Sequence, residues 1–201
     1  MGVEKMENNS KGSIEVICGP MFAGKTEELI RRVKRLVYAK KNVVVLKPRI
    51  DNRYSDDEIV SHANSRVNSI IIDRASDILQ YVDKKTDAVV IDEIQFMDKE
   101  VVSIVEILAH NGKRVICAGL DMDFRGEPFG VMPVLLARAE EVTKLTAICP
   151  VCGANATRTQ RIINGNPASY DDPLILVGAV EAYEPRCRYC HKVLNKPVIK
   201  L

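Results

Sequence analysis

Long apolar runs are missing from this chain, and their absence argues against a protein with membrane-spanning helices. No segment approaches the roughly 20 apolar residues that a helix needs to cross a bilayer. The first twelve residues are polar and lack the apolar core of a secretory signal. We therefore expect residues 1–12 to be a disordered lead-in, and the protein to be cytoplasmic with no membrane partner.

A strong excess of charge of one sign is also missing. Lys and Arg number 29 against 27 Asp and Glu, which gives a net charge of +2. Nucleic-acid-binding domains usually carry a basic face, so this balance gives no reason to expect a nucleic-acid partner. Trp is absent, but 46% of the residues are hydrophobic. That is enough to build the core of one ordinary domain with a small appendage.

Residues 19–26 read Gly-Pro-Met-Phe-Ala-Gly-Lys-Thr and fit the pattern G-x-x-x-x-G-K-[ST]. A strand-like run at 14–18 precedes them and a helical pattern follows. In such a loop, backbone N–H groups and the positive end of the helix dipole face a phosphate chain. Lys25 is predicted to reach the β- and γ-phosphates, and Thr26 to hold Mg²⁺. The predicted nucleotide-contacting residues of the loop are Gly19, Pro20, Met21, Phe22, Ala23, Gly24, Lys25 and Thr26.

Paired carboxylates, Asp92 and Glu93, end a second apolar run at 87–91. The carboxyl ends of parallel strands meet at one edge of a sheet, where open α/β proteins bind their ligands. We expect Asp92 to hold Mg²⁺ opposite Thr26, and Glu93 to act as a base towards a hydroxyl or a water. Ile94 and Gln95 follow and are assigned to the nucleotide site.

A long polar stretch, residues 48–65, follows the strand-like run at 42–47. A loop of this length in a compact domain is either mobile or functional. Arg53 is predicted to neutralise charge on a transferring phosphoryl group, and Asp51 to bind a sugar hydroxyl or a metal-bound water. The alternative is a solvated loop with ordinary charges.

Further strand-like runs lie at 67–72, 113–119 and 141–147 and alternate with helical patterns. Repeated strand–helix units after a phosphate-binding loop predict an α/β fold with a mostly parallel sheet flanked by helices. Phe124 and Phe129 share the loop after the run at 113–119. They suggest a stacking surface for a planar ligand, unless they simply fill the interior.

Four of the six cysteines form two C-x-x-C pairs: Cys149, Cys152, Cys187 and Cys190. Two such pairs can place four thiolates around a structural Zn²⁺. Two disulfides or a redox pair remain alternatives, and His191 could replace Cys190 as a ligand. The long segment between the two pairs predicts a lid over a ligand, with an ordinary surface loop as the alternative. Cys18 and Cys117 are expected to be buried small hydrophobic residues.

These features together resemble the cytosolic-type (type II) thymidine kinases over nearly the whole chain from Ser13. The matching motifs are residues 19–26, Asp-Asn-Arg-Tyr (51–54), Asp-Glu-Ile-Gln-Phe (92–96), Gly-Leu-Asp-Met-Asp-Phe (119–124) and the two cysteine pairs. The resemblance implies a P-loop (RecA-like) domain at 13–146 and a zinc-binding domain with a lasso loop at 147–201. Ile94, where the family often has Gly, and Met122-Asp123, where Gly-Thr is commoner, depart from the family pattern.

By this resemblance the reaction is transfer of the ATP γ-phosphate to the 5′-hydroxyl of thymidine, giving dTMP and ADP. Glu93 matches the catalytic base, and Lys25, Thr26 and Asp92 match the phosphate and Mg²⁺ positions. Arg53 and Asp51 match residues near the transferred phosphate and the sugar. Family members are commonly homotetramers with zinc on the four cysteines and with dTTP as a feedback inhibitor. Deoxyuridine is a further expected substrate, because a methyl group contributes only about 1–3 kcal/mol of discrimination.

The resemblance also assigns the nucleoside pocket. Phe124 matches the aromatic residue that packs on thymine, and Met21, Leu120, Thr159 and Tyr183 would surround its 5-methyl group. Residues 174–178 match the lasso over the base. The predicted nucleoside-contacting residues are Met21, Phe96, Leu120, Phe124, Phe129, Thr159, Leu174, Ile175, Leu176, Val177, Gly178 and Tyr183.

Two other functional classes compete with a kinase. One is a phosphate-loop ATPase or strand-exchange-type motor that carries a zinc ribbon for nucleic acid, which would call for a basic face dotted with aromatic residues. The other is a zinc-held interaction module in which the nucleotide serves only as a switch. Only the kinase yields a phosphorylated small-molecule product.

Overall fold

The structure is a computed structural model that describes residues 11–49, 58–60, 66–174 and 181–197. In chain order its strands and helices are β1 (Ser13–Cys18), α1 (Lys25–Tyr38), β2 (Val43–Pro48), β3 (Glu58–Val60), β4 (Arg66–Asn68), β5 (Ile70–Ile72), α2 (Ile78–Tyr81), β6 (Ala88–Ile91), α3 (Glu100–His110), β7 (Arg114–Gly119), α4 (Met132–Arg138), β8 (Glu141–Lys144), β9 (Ala147–Ile148), β10 (Asn155–Ala156), β11 (Arg158–Ile163), β12 (Asn166–Pro167) and β13 (Glu181–Arg186). Two 3-10 turns, Ala75–Asp77 and Ile94–Phe96, precede α2 and α3.

A six-stranded sheet in the order β5-β2-β6-β7-β1-β8 forms the centre of the protein. Every adjacent pair in it is parallel. The four residues of β6 are all buried, as are the last five of β1 and of β7. Such continuous apolar runs are typical of parallel strands covered on both faces. The predicted parallel α/β sheet is therefore confirmed.

Helices cover both faces of this sheet. Because successive side chains of a strand point to opposite faces, each strand contributes to two cores. On one face, Leu29, Ile30 and Val33 of α1 pack in a cluster with Ile17, Val90 and Ile116 of the strands. On the other face, the cluster combines strand residues with residues of α3 and α4, among them Val105 and Leu135. Three layers result, with the sheet between two layers of helices.

A second, smaller sheet follows the central one along the chain. Strand β11 pairs antiparallel with both β12 and β13. A short β9–β10 pair carries the first cysteine pair next to it. The boundary between two domains at residue 146–147 stays a prediction.

Two predicted strands differ from the structure. The run at 67–72 is split into β4, which pairs with β3, and β5, which joins the main sheet. The run at 141–147 is split as well: β8 ends at Lys144 and pairs with β1, whereas Ala147 already belongs to β9 and pairs with β10. In both cases the partner of the strand changes along the run, which apolar periodicity alone does not reveal.

Several sequence-based assignments lie outside the described residues. They are Asp51, Arg53, Ile175, Leu176, Val177, Gly178 and residues 1–10 of the N-terminal segment. Of the helices in the described part of the chain, none combines the length and apolarity that crossing a bilayer requires.

A buried ion-pair network joins α1 to the sheet. Glu15 of β1 and Arg32 of α1 are 4% and 7% exposed, and the guanidinium donates to the carboxylate at 2.5 Å. Arg32 also binds Glu28 at 2.8 Å, and Arg114 of β7 pairs with Glu15 as well. Buried charges are tolerated only when they are paired, so removing Arg32 would take a buried partner from Glu15 and leave it with the more exposed Arg114.

We expect Arg32→Ala to lower the free energy of unfolding by about 3 kcal/mol, because it strips Glu15 of a buried partner. Urea denaturation followed by circular dichroism measures this. Arg31→Ala is the matched control: Arg31 pairs with the same helix residue, Glu28, but its side chain is 57% exposed. It should change the free energy by less than about 0.5 kcal/mol. Equal losses in the two variants would contradict the prediction.

Candidate active site

The loop from Gly19 to Gly24 leads directly from β1 into α1. Gly19 has a φ of +144°, and a Cβ atom there would lie 2.4 Å from the carbonyl oxygen of Leu145. Only glycine fits this conformation and this close approach. The first residue of α1 is Lys25, so Lys25 and Thr26 lie at the helix N-terminus, where phosphate groups bind favourably.

Lys25 is a buried cation. It is 9% exposed and its ammonium donates to the carbonyl of Pro20 at 2.8 Å. Burial lowers the pKa of Lys25, while the carboxylates of Glu93, Asp92 and Asp121 act in the opposite direction. A lysine held among carboxylates at a helix N-terminus is suited to meet the charge of a phosphate chain.

Asp92 and Glu93 lie at the carboxyl end of β6. The backbone N–H of Asp92 bonds to Leu46 at 3.0 Å, and its carboxylate accepts the N–H of Glu93 at 3.0 Å. Burial, together with the neighbouring Glu93 charge, raises the pKa of Asp92 to about 7. Glu93 has a left-handed backbone (φ 51°), and its side chain is partly exposed. The structure therefore brings Lys25, Asp92 and Glu93 together at one edge, as the sequence predicts.

Asp121 is a third carboxylate at this edge that the sequence analysis did not assign. Strand β7 lies between β1 and β6, so the residues after it lie between the phosphate-binding loop and Asp92. Asp121 is 6% exposed and pairs with Lys144 at 2.7 Å. It also acts on Lys25 and contributes to the raised pKa of Cys18, about 11, for which burial is the main cause. Its position after a predicted strand could have signalled this placement.

Met21 and Thr159, two predicted neighbours of the thymine methyl group, are in contact. The backbone N–H of Met21 donates to the hydroxyl of Thr159 at 3.1 Å, across 138 residues of sequence. Thr159 belongs to β11 and is 3% exposed. The phosphate-binding loop is therefore attached to the second sheet.

Phe124 and Phe129 contact different neighbours. Phe124 is 5% exposed and has the guanidinium groups of Arg161 and Arg125 over its ring, at 5.0 and 5.3 Å. Phe129 instead packs edge-on against Phe96, with ring centroids 5.3 Å apart. Their contribution to nucleoside binding stays a prediction.

Two arginines that the sequence analysis did not assign hold the chain just before Leu174. Arg161 of β11 is fully buried and donates to the carbonyl of Pro173 at 2.6 Å. Arg125 donates to the carbonyl of Asp172 at 2.7 Å. Tyr183, a predicted nucleoside contact, lies opposite Arg161 in the β11–β13 register. The residues before the predicted lasso are thus attached to the Phe124 region.

The four cysteines of the two pairs converge. Their sulfur atoms all lie within 4.8 Å of one another, and none is in a disulfide. Tetrahedral Zn²⁺ with bonds of about 2.3 Å would place sulfurs about 3.8 Å apart, so the donor set fits zinc. His191 is not part of the cluster, since its Nε2 contacts the carbonyl of Phe124 at 2.9 Å. The disulfide alternative and the His191 alternative are not supported.

One thiol of this cluster, that of Cys149, has a lowered pKa. Burial works against ionisation of Cys149, but backbone N–H groups of Cys187, Val151 and Cys152 lower its pKa to about 6. The thiolate, and not the thiol, is the form of cysteine that binds metal. Cys149 and Cys187 also pack with Ala147 and Ala156, and Ala23 of the phosphate-binding loop packs against them. The cysteine cluster therefore supports the loop directly.

The thymidine kinase family matches this chain over residues 12–191, nearly its whole length. The chain belongs to the thymidine kinase family. Among solved structures, the Pif1 helicase from Candida albicans is similar in part, with a TM-score of 0.41 and 16% sequence identity. The match covers 68% of this chain but only 36% of that helicase, and it carries no argument about function.

We expect Cys149→Ser to abolish zinc binding in this thymidine kinase family member, which should otherwise hold about one zinc per chain. Because a structural metal contributes folding free energy, the melting temperature should fall as well. Elemental analysis after dialysis and thermal unfolding measure the two effects. Cys117→Ala is the control, since Cys117 is buried in β7 away from the cluster and its variant should keep the metal. Zinc retained by Cys149→Ser would contradict the assignment.

The raised pKa of Asp92 predicts a pH effect on stability. In the protein free of metal and nucleotide, folded Asp92 keeps its proton to higher pH than the unfolded chain does, from an ordinary value of 3.8 up to about 7. This contribution is fully present below the ordinary pKa and is lost as the pH rises through about 7. Glu93 adds to the shift, and Lys25 and Lys47 oppose it.

Asp92→Asn stays neutral throughout. Its free energy of unfolding should therefore rise relative to the wild type between about pH 4 and pH 7, by an amount on the order of 1–4 kcal/mol. Urea denaturation across this range measures the difference. Parallel stability profiles for the two proteins would contradict the burial of an ionisable Asp92.

Proposed function

We propose that the protein is an ATP-dependent thymidine kinase of the cytosolic type. It transfers the γ-phosphate of ATP to the 5′-hydroxyl of thymidine and yields dTMP and ADP, a salvage step for DNA synthesis in the cytoplasm. The observation that carries this proposal is the meeting of Lys25, Asp92 and Glu93 at one sheet edge, in a chain that matches the thymidine kinase family over residues 12–191.

The phosphate chain of ATP would lie along the loop at residues 19–24, against the N-terminus of α1. Lys25 supplies a buried positive charge there, with its ammonium 2.8 Å from the Pro20 carbonyl in the same loop. Phosphoryl transfer asks a protein mainly for positioning and for neutralisation of charge. Lys25 meets the second requirement, and the helix dipole adds to it.

Mg²⁺ fits the oxygen donors of this edge. Asp92 offers a buried carboxylate and Thr26 a hydroxyl on the first turn of α1, and Mg²⁺ prefers such oxygen ligands. When bound, the ion neutralises charge on the phosphate oxygens. A thiolate set at the four cysteines would hold Zn²⁺ in a structural role instead.

Glu93 is the proposed base. Its carboxylate is partly exposed, unlike the buried Asp92, so an acceptor hydroxyl can reach it. It takes the proton of the thymidine 5′-hydroxyl as the oxygen forms its bond to the γ-phosphorus and the bond to the ADP oxygen breaks. Arg53 and Asp51 remain predicted neighbours of the transferred group.

The nucleoside would lie beside the contact between Met21 and Thr159. Phe124 is the proposed stacking partner of thymine, and Leu120 and Tyr183 complete the surroundings of the methyl group. Phe96, Phe129 and the lasso at residues 174–178 are the remaining predicted contacts of the nucleoside. Deoxyuridine as a second substrate, dTTP as a feedback inhibitor and a homotetramer are part of the same proposal.

The family match favours a kinase over the two rival classes. A zinc-ribbon motor would call for a basic face, and the net charge of +2 does not supply one. A nucleotide-switched interaction module gives no role to a base at Glu93.

The decisive experiment incubates the protein with ATP, Mg²⁺ and each deoxynucleoside in turn and identifies any monophosphate by mass spectrometry. We expect dTMP from thymidine and dUMP from deoxyuridine, with one ADP formed for each. Nucleoside-independent ATP hydrolysis without a monophosphate would overturn the proposal.

Glu93→Gln serves as the matched variant in this experiment. It keeps the size of the side chain but removes the base, so turnover should fall by about 100-fold or more while ATP still binds. Nucleotide binding is measured by titration calorimetry. Near-normal turnover would remove Glu93 from the role of base and leave the kinase assignment intact.

A further inference from the structure

The side chain of Gln95 lies between the proposed base and the nucleoside side of the site. It is 3% exposed. Its Nε2 donates to Oε2 of Glu93 at 2.5 Å, and its Oε1 accepts the backbone N–H of Leu120 at 3.1 Å. Because the N–H of Leu120 can only donate, the amide oxygen must face Leu120 and the NH₂ group must face Glu93. The orientation of the amide is therefore determined by its partners.

Two glycines create the space for this residue. A Cβ atom at Gly119 would lie 2.3 Å from Oε1 of Gln95. A Cβ atom at Gly130, which has a φ of +52°, would lie 2.3 Å from the backbone oxygen of Gln95. Real Cβ atoms do not approach this closely. Any larger residue at position 119 or 130 would therefore clash with the amide or the backbone of Gln95.

Glu93, the proposed base, is less buried than Gln95. Glu93 has a left-handed backbone at the entrance to the 3-10 turn Ile94–Phe96, and its side chain is partly exposed. A partly exposed glutamate has several rotamers available, and only some of them present a carboxylate oxygen to an acceptor hydroxyl. The bond from Gln95 selects one arrangement by holding Oε2 and leaves Oε1 for the proton.

We infer that Gln95 is a positioning residue for Glu93, and that it ties the base to Leu120 in the loop expected to contact the nucleoside. This inference rests on the proposed kinase function. Gln95 does not take part in the chemistry. It keeps the carboxylate where a 5′-hydroxyl bound beside Leu120 would meet it. The sequence analysis placed Gln95 at the nucleotide site, and the new assignment gives its side chain a different task.

A double-mutant cycle on turnover tests the inference. Gln95→Met keeps the length of the side chain and removes both hydrogen bonds. We expect it to lower kcat for thymidine by about 10- to 100-fold, the scale of a misplaced catalytic group, with the KM for ATP little changed. In the Glu93→Gln background the same substitution should cause no further loss, because no base remains to be positioned.

Gly119→Ala is a second variant, which leaves Gln95 in the chain but pushes its amide out of place. It should lower kcat in the same way and should again have no effect in the Glu93→Gln background. If Gln95→Met fails to fold, this variant carries the test.

Gln160→Met is the matched control for a lost buried amide. Gln160 is also 3% exposed, and it also bonds at both ends, from Nε2 to the carbonyl of Arg161 at 2.9 Å and from the N–H of Lys192 to Oε1 at 2.8 Å. Its variant should lose stability in urea to a similar degree while kcat stays near the wild-type value.

The outcomes separate the two levels of the proposal. If the wild type forms no dTMP, the kinase function fails and the role of Gln95 fails with it. If the wild type is active but Gln95→Met stays near wild-type turnover, the positioning role alone is overturned. It is also overturned if the losses from Glu93→Gln and Gln95→Met multiply, or if Gln160→Met lowers kcat equally.

Discussion

A lysine ammonium buried among carboxylates is the interaction on which the rest of this structure depends. Lys25 is desolvated at the start of α1, and the charges of Glu93, Asp92 and Asp121 act on it. Three strands supply these groups, because β7 lies between β1 and β6 and all three run in the same direction. The strand order thus determines that Lys25 and these carboxylates lie at the same edge. Their opposite charges offset part of the cost of burying Lys25 and Asp92 there.

The second sheet and the cysteine cluster contact the phosphate-binding loop at this edge. Thr159 accepts the N–H of Met21, and Ala23 packs against the hydrophobic cluster that contains Cys149 and Cys187, so the phosphate-binding loop has two contacts with this region. A zinc ion held by the four cysteines would stabilise so small a region, since a few metal ligands can take the place of a large hydrophobic core. Loss of the cysteine cluster would therefore disturb the proposed nucleotide site as well as the region around the cysteines.

Most of the fold could be predicted from the sequence, because its signals are local. The loop at residues 19–26, the apolar strands and the cysteine spacing each depend on residues close together in the chain. What periodicity missed depends on partners. The run at 67–72 splits because β4 and β5 pair with different strands, and Asp121 joins the site only because β7 is inserted beside β1. Likewise, no sequence motif around Arg161 predicts that its guanidinium lies over the ring of Phe124.

The same distinction between local sequence signals and distant contacts explains the structure around Glu93, the proposed base. A carboxylate at the end of a strand is visible in the sequence, but its direction is set by contacts that come from elsewhere. Glu93 takes its orientation from Gln95, which in turn depends on Leu120 after β7 and on the absence of a side chain at Gly119. Leu120 and Asp121 both follow β7, so the end of this one strand influences both the charge around Lys25 and the orientation of Glu93. The geometry of the proposed catalytic site therefore depends on the end of β7 as much as on the residues proposed to do the chemistry.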